Sequence, residues 1–210
     1  MSEIKNVTDV NREAYNKLAK EFSARDSSLD DYKTKLKEYF LKYAKTAGKA
    51  LEIGPGTGLL LQTLEELGYR TTAIELSEKM CEFAKNNSPN TVILNQDIFT
   101  VEFFSEQFDI VCALAMIHTI PYEDAKVLLK KVQTWLKKGG FFILDTVRYD
   151  ESKEIFLPSG NNKNVTKFRK QYTQDELEEL ICSSGFKIDD ISLNLDESNS
   201  KVWMRFACQK

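Results

Sequence analysis

The stretch Lys49–Gly58, K-A-L-E-I-G-P-G-T-G, decides the fold. Ala50, Leu51 and Ile53 read as a short buried strand. Gly54, Gly56 and Gly58 follow as a turn whose backbone can approach a ligand where any Cβ would collide. An acid, Glu52, stands just ahead of the first glycine. A strand running straight into such a turn is the signature of a nucleotide pocket. The turn leads into a helix, Leu59 to Leu67, which Gly68 stops.

Downstream, strands and helices alternate. Arg70–Ile74 is a second strand ending on Glu75, and Ser77 caps a helix through Asn87. Val92–Leu94 closes on Gln96 and Asp97, and Phe108–Leu114 is a fourth strand. A helix from Pro121 is expected to end at Lys137–Lys138, where last-turn lysines precede Gly139–Gly140, and Phe141–Val147 is the fifth strand. Upstream, Val10, Ala14, Leu18 and Phe22, then Leu36, Tyr39, Phe40 and Tyr43, predict two amphipathic helices separated by Asp26–Asp31. Tyr149–Lys170 reads as polar and irregular, and its lysines as a solvated loop. Thr173 starts a helix that ends at Gly185. Phe186–Leu195 and Lys201–Cys208 form a hairpin around Glu197–Ser200.

This order predicts an α/β fold, a Rossmann-like, mostly parallel sheet with helices on both faces and a terminal antiparallel hairpin. Ligands collect at the carboxyl ends of such strands. There the chain places Gly54–Gly58, Glu75, Asp97, Ala113–His118, Arg148 and Tyr149.

The 210 residues, 42% of them hydrophobic, suit one core. A net charge of −3 gives no basic field for nucleic acid. The start, M-S-E-I-K-N, is polar and the longest apolar run, Ile110–Ile117, is too short to span a bilayer, so the expected location is cytoplasmic, with no membrane partner. Cys81, Cys112, Cys182 and Cys208 form no C-x-x-C pair and His118 is the single histidine, so no metal is expected and the cysteines read as small buried hydrophobes.

Glu75 follows Gly54 by about 20 positions, where a carboxylate accepts from ribose hydroxyls. Dinucleotide sites use G-x-G-x-x-G, but the third glycine of that pattern is Leu59 here and the spacing is G-x-G-x-G. With Glu52 ahead of it, this run resembles motif I of the class I S-adenosylmethionine-dependent methyltransferases. The likeness extends from Tyr15 to the terminal hairpin and is strongest at Leu51–Gly58, Glu75, Asp97, Phe108–Ile120 and Lys137–Leu144.

The resemblance implies a seven-stranded sheet whose last strand inserts antiparallel beside the fifth, and S-adenosyl-L-methionine as cofactor. It implies that Gly54, Pro55, Gly56, Thr57 and Gly58 lie along the methionyl and ribose portions, and that Glu52 helps hold the methionyl amino group. Glu75 would take the ribose, Leu76 would pack on adenine, and Asp97 and the Ile98 amide would read its edge. Ala113, Leu114 and Ala115 would flank the methyl through their backbone. His118 is either a general base with a pKa near neutrality or a strand-end histidine held by a neighbouring carbonyl. Tyr15, within N-R-E-A-Y-N-K-L-A-K-E-F, either folds over the methionyl group or joins the apolar stripe. Arg25, Arg148 and Tyr149 are candidate substrate-facing residues, with a solvated role the favoured alternative.

The implied layout is a single methyltransferase domain over 1–210, with a helical cap at 1–45, a cofactor-binding core at 46–148, a short substrate-side insertion at 149–172 and a C-terminal helix and hairpin at 173–210. So small a cap favours a small-molecule acceptor. A protein or RNA acceptor, a non-catalytic cofactor-binding regulator and an NAD(P)-dependent oxidoreductase are the rival readings.

Overall fold

The computed structural model describes residues 6–26, 30–43, 48–160, 162–196 and 200–210. The run that opens the argument becomes β1 (Lys49–Ile53), which hydrogen-bonds in parallel with β2 (Arg70–Glu75) on one edge and β4 (Phe108–Leu114) on the other. Outward from β2 lies β3 (Val92–Asn95). Outward from β4 lie β5 (Leu136–Val147), then β9 (Lys201–Gln209) and β8 (Lys187–Asp196), giving the order β3-β2-β1-β4-β5-β9-β8. β9 runs antiparallel between β5 and β8. The strand order reverses between β1 and β4, which opens a crevice at their carboxyl ends.

Side chains alternate between the two faces of the sheet. Leu51, Ile53, Val111, Ala113, Phe142 and Leu144 pack under α5 (Tyr122–Trp135) and α6 (Gln174–Ser183). Ala50, Ile110, Cys112, Ile143 and Ala207 pack under α2 (Asp30–Tyr43) and α3 (Leu59–Glu66). A strand covered on both sides reads as continuously apolar, which is why β1 and β4 were visible as apolar runs. Ser77 caps α4 (Glu78–Asn87) by accepting from the Met80 amide at 3.1 Å, and Thr173 caps α6 by accepting from Glu176 at 3.2 Å. The long first helix, α1 (Val7–Asp26), crosses the carboxyl ends of the strands.

Several expectations need correction. The helix before β5 stops at Trp135, and Lys137–Gly140 are strand. Leu136 turns to φ −71, ψ 141 and pairs with Phe108, while Lys137 reaches Asp109 at 2.7 Å, so pairing with β4 overrides the lysine-and-glycine stop signal. The supposedly irregular stretch holds a separate hairpin, β6 (Lys153–Pro158) with β7 (Thr166–Gln171). Its lysines are not all solvated, because Lys167 and Lys170 are buried. Cys182 is exposed, whereas the other three cysteines are buried. The turn expected at Glu197–Ser200 lies outside the described residues except for Ser200. Among the described residues no helix is long and apolar enough to cross a membrane.

One buried ion pair pins the far side of the crevice. Asp145 on β5 accepts from Arg205 Nε at 3.1 Å and Nη2 at 2.8 Å, and its other oxygen accepts from the Ala115 amide at 2.7 Å. Ala115 has φ +52, so this carboxylate holds a turn that an alanine adopts at some cost. Replacing Asp145 with Ala is expected to cost about 3 kcal/mol, because the largely buried Arg205 loses the carboxylate oxygen that accepts two of its N–H bonds and the Ala115 turn loses its side-chain anchor. Urea unfolding measures it, and a loss below about 1 kcal/mol would show the pair to be dispensable.

Candidate functional site

The glycines of the loop after β1 answer to different constraints. Gly54 has φ +70, and a Cβ there would sit 2.8 Å from the Met116 side chain. Gly58 has φ +89, with Ala84 Cα at 3.1 Å. Gly56 has φ +57 and nothing within 4 Å of its Cβ position. The outer two thus serve the fold, while the middle one leaves a bare face toward the crevice. Gly54 donates to the Ile74 carbonyl at 2.9 Å and Gly58 to that of Pro55 at 3.0 Å. Pro55 and Thr57 are buried, and the Thr57 hydroxyl donates to Asp26 at 2.6 Å.

Two acids share this end of the sheet. Register places Glu52 opposite Ala73, so Glu75, two residues further along β2, projects to the same face. Glu75 accepts from the Gly56 amide at 3.1 Å and the Ser77 amide at 2.8 Å. Glu52 is 3% exposed and its Oε2 has no hydrogen-bond partner. Burial, then the charge of Glu75, pushes Glu52 up to about 8. Burial pushes Glu75 up to about 7 against the opposing bonds from the Ser77 and Gly56 amides. A buried carboxyl oxygen without a donor is costly, and a cationic group is the partner that relieves it most.

Beyond β2, Leu76 is half-buried and Asp97 accepts from the Phe99 amide at 3.0 Å, capping a short 3-10 turn that begins at the buried Ile98. Asn95 ties the two tips together by donating to the carbonyls of Glu75 at 2.9 Å and Leu76 at 3.2 Å. At the tip of β4, Ala113 faces the core, Leu114 is partly buried, and only Ala115 is exposed, so this segment offers backbone to the crevice.

His118 and Tyr15 stand apart from the acids. The His118 ring is buried, with Nδ1 2.7 Å from the Thr146 hydroxyl, so a hydroxyl and not a carbonyl holds it. Burial, then Arg169, Lys167 and Lys201, holds its pKa well below the usual imidazole value, away from the near-neutral value that the general-base alternative calls for. Tyr15 is half-buried, its ring 6.0 Å from that of Phe22 and 5.7 Å from the Lys167 ammonium. Arg25 and Arg148 are exposed and Tyr149 is half-buried.

The polar anchors of α1 were missed by the sequence reading. Asn11 donates to the Thr119 carbonyl at 2.7 Å and accepts from the Phe168 amide at 2.9 Å. Asn16 accepts from the Ser77 hydroxyl at 2.6 Å and the Lys79 amide at 3.1 Å. The signal available was Asn11 itself, a polar residue in helical register with Ala14 and Leu18. An open surface hollow lined by Lys49, Ser105, Gln107 and Lys137 lies at the opposite, amino ends of the strands, away from all these groups.

A family model described as a methyltransferase domain matches residues 51–144. An uncharacterized methyltransferase of Staphylococcus carnosus is 28% identical over 204 residues, covering 91% of this chain and 96% of its own length. The ubiquinone biosynthesis O-methyltransferase of Coxiella burnetii is 24% identical, covering 68% of this chain and 64% of its own. Among solved structures, 1,6-didemethyltoxoflavin-N1-methyltransferase of Burkholderia thailandensis, with bound 1,6-didemethyltoxoflavin and S-adenosylhomocysteine, superposes with a TM-score of 0.77 at 16% identity, over all of this chain and 92% of that one. That last likeness is one of fold.

The paired acids make stability depend on pH in a definite direction. In the folded chain both carboxyls keep their protons to about 7 or 8, whereas in the unfolded chain they ionise above about 4.3. The unfolded state therefore binds fewer protons through this window, and stability falls as pH rises from about 5 to about 8. The ligand-free protein should melt at least about 5 °C lower at pH 8 than at pH 5.5, and Glu52→Gln should flatten that slope. Equal slopes for the two proteins would place the Glu52 carboxyl in water.

Proposed function

We propose that the chain is a class I S-adenosylmethionine-dependent methyltransferase, as the methyltransferase-domain match and the methyltransferase relatives support, and that it transfers the methyl group of S-adenosyl-L-methionine by in-line displacement to a small-molecule acceptor in the cytoplasm. The observation that carries the cofactor half of this reading is the partnerless buried oxygen of Glu52, placed where the ammonium of a methionyl group would neutralise it. The acceptor half is supported by the modest cover over the strand tips, one helix and the two-stranded β6–β7 hairpin. It is also supported by the Burkholderia protein, whose bound ligand is a small molecule.

When bound, S-adenosylmethionine supplies a methyl carbon on a positively charged sulfur, which needs alignment more than covalent help. In this reading Glu52 takes the ammonium and the Gly54–Gly58 backbone lies along the methionyl and ribose portions. Glu75 accepts from the ribose hydroxyls while keeping its bonds from the Gly56 and Ser77 amides. Leu76 packs on the purine, and Asp97 and the Ile98 amide read its edge. The backbone of Ala113–Ala115 flanks the methyl. α1, tied to both sides of the crevice through Asp26, Asn16 and Asn11, keeps water out, with Tyr15 on its inner side. Neutral His118 holds a hydrogen-bonding ring beside the acceptor and is a weak proton acceptor.

Isothermal titration tests the cofactor. Wild-type protein should bind S-adenosylhomocysteine and give no heat with NAD; the reverse result would make this an oxidoreductase. Glu75→Ala should weaken S-adenosylhomocysteine by at least about tenfold, the value of one or two hydrogen bonds to a charged group. Undiminished affinity would remove the ribose assignment. Release of S-adenosylhomocysteine with a panel of small acceptors tests turnover, and tight binding with no turnover on any of them would favour a non-catalytic binder.

A further inference from the structure

We propose that the acceptor carries an anionic group, a carboxylate or a phosphate-type oxyanion, and that Lys167 and Arg169 of β7 bind it beside His118. The proposal rests on the methyltransferase reading for its place in a reaction, but the anion site itself is argued from side chains alone.

Alternation along β7 puts Lys167 and Arg169 on one face of the hairpin and Phe168 and Lys170 on the other. The two faces treat charge differently. Lys170 is buried against an acid, with Glu176 oxygens at 2.8 and 3.0 Å. Lys167 is 7% exposed, and among the described residues no acid and no hydrogen-bond acceptor meets its ammonium. It lies instead 5.7 Å from the Tyr15 ring centroid and 5.9 Å from that of Phe22. Arg169 buries its Nη1 without a hydrogen-bond partner among the described residues.

The surroundings add more positive charge. Arg169, Lys201 and Arg25 all bear on Lys167, and together with burial they push its pKa down to about 7. Asp26, a nearby acid, is bound to Arg25 and Thr57. Aromatic faces attract a buried ammonium but fall well short of an ion pair in a dry site. Among the described residues no acid faces Lys167 or Arg169, an arrangement suited to an anion that arrives later.

The location is that of an acceptor. Asn11 on α1 links the Phe168 amide of β7 to the Thr119 carbonyl next to His118, so β7, α1 and the segment carrying His118 are tied together, and Lys167 and Arg169 stand near enough to act on the His118 ring. The His118 ring lies 6.2 Å from that of Trp203. An acceptor bearing one anionic group would find two cations here beside aromatic rings. The rival occupant is the carboxylate of the cofactor itself.

Benzoate, neutral benzamide and orthophosphate are suitable probes for titration into the S-adenosylhomocysteine-saturated protein. Benzoate or orthophosphate should bind and raise the melting temperature, whereas benzamide should bind at least about tenfold more weakly than benzoate. Preference between the two anions tells a carboxylate site from a phosphate site. Lys167→Met and Arg169→Met should each weaken the preferred anion by about tenfold or more, leave S-adenosylhomocysteine affinity within about twofold, and not lower the melting temperature, since each removes a buried like charge. The proposal fails if neither anion binds, if benzamide binds as well as benzoate, or if the variants lose S-adenosylhomocysteine in step with the anion. Failure of S-adenosylhomocysteine to bind the wild type would count against the methyltransferase reading alone; the anion titrations are then repeated on the ligand-free protein, where the same outcomes decide the anion site.

Discussion

A strand hydrogen-bonded along both edges and covered on both faces has no watery side on which to leave a charge. β1 is such a strand: Ala50, Leu51 and Ile53 are at most 1% exposed, and its one acid, Glu52, is 3% exposed. The parallel register then sets Glu75 of β2 on the same face, so two carboxyls occupy a single dry corner. Neither can ionise there without a compensating cation or further donors. The sheet topology therefore creates the electrostatic demand, and the bare face of Gly56 leaves room for the molecule that meets it.

The crevice has a second half of opposite character. The net charge of −3 gives no hint of it, since sums hide buried arrangements. On one side stand carboxyls without cations, and on the other Lys167 and Arg169 without carboxyls. A zwitterionic methionyl group and a separate anionic acceptor could each find a complementary surface. α1 lies across both halves, reaching Thr57 and Ser77 on the acid side and placing Asn11 and Tyr15 on the basic side. Its seating therefore depends on loops from both.

Most of the sheet was legible because its signals are local. β4 was found to the residue, as was α4 with its Ser77 cap. The Trp135–Leu136 boundary was misjudged because a lysine-and-glycine stop competes there with pairing to Phe108, a contact invisible along the chain. The β6–β7 hairpin escaped because Lys153–Phe156 are exposed and carry charges among their apolar residues, so neither face shows a clean apolar alternation. Glu52 and Glu75 could be named from spacing, but their raised pKa values follow from burial, which no motif records. Lys167 is the sharpest case, since a lysine in a lysine-rich polar run gives no sign that it will be closed in by Tyr15 and Phe22.

The basic half also bears on how an acceptor would lose its proton. Protonating His118 would add a positive charge beside Lys167, Arg169 and Lys201, and burial raises that cost further, so the imidazole is a poor base where the fold has put it. The same field acts with the opposite sign on an acceptor. A hydroxyl or thiol held beside those cations would ionise more readily than in water to the extent that the acceptor's own anionic group leaves their charge uncompensated. With Nδ1 occupied by the Thr146 hydroxyl, only the other nitrogen of His118 would be left to orient that atom. The proton would leave to water before methyl transfer and not to the imidazole, and it is the pair of cations that would favour the anionic nucleophile left behind.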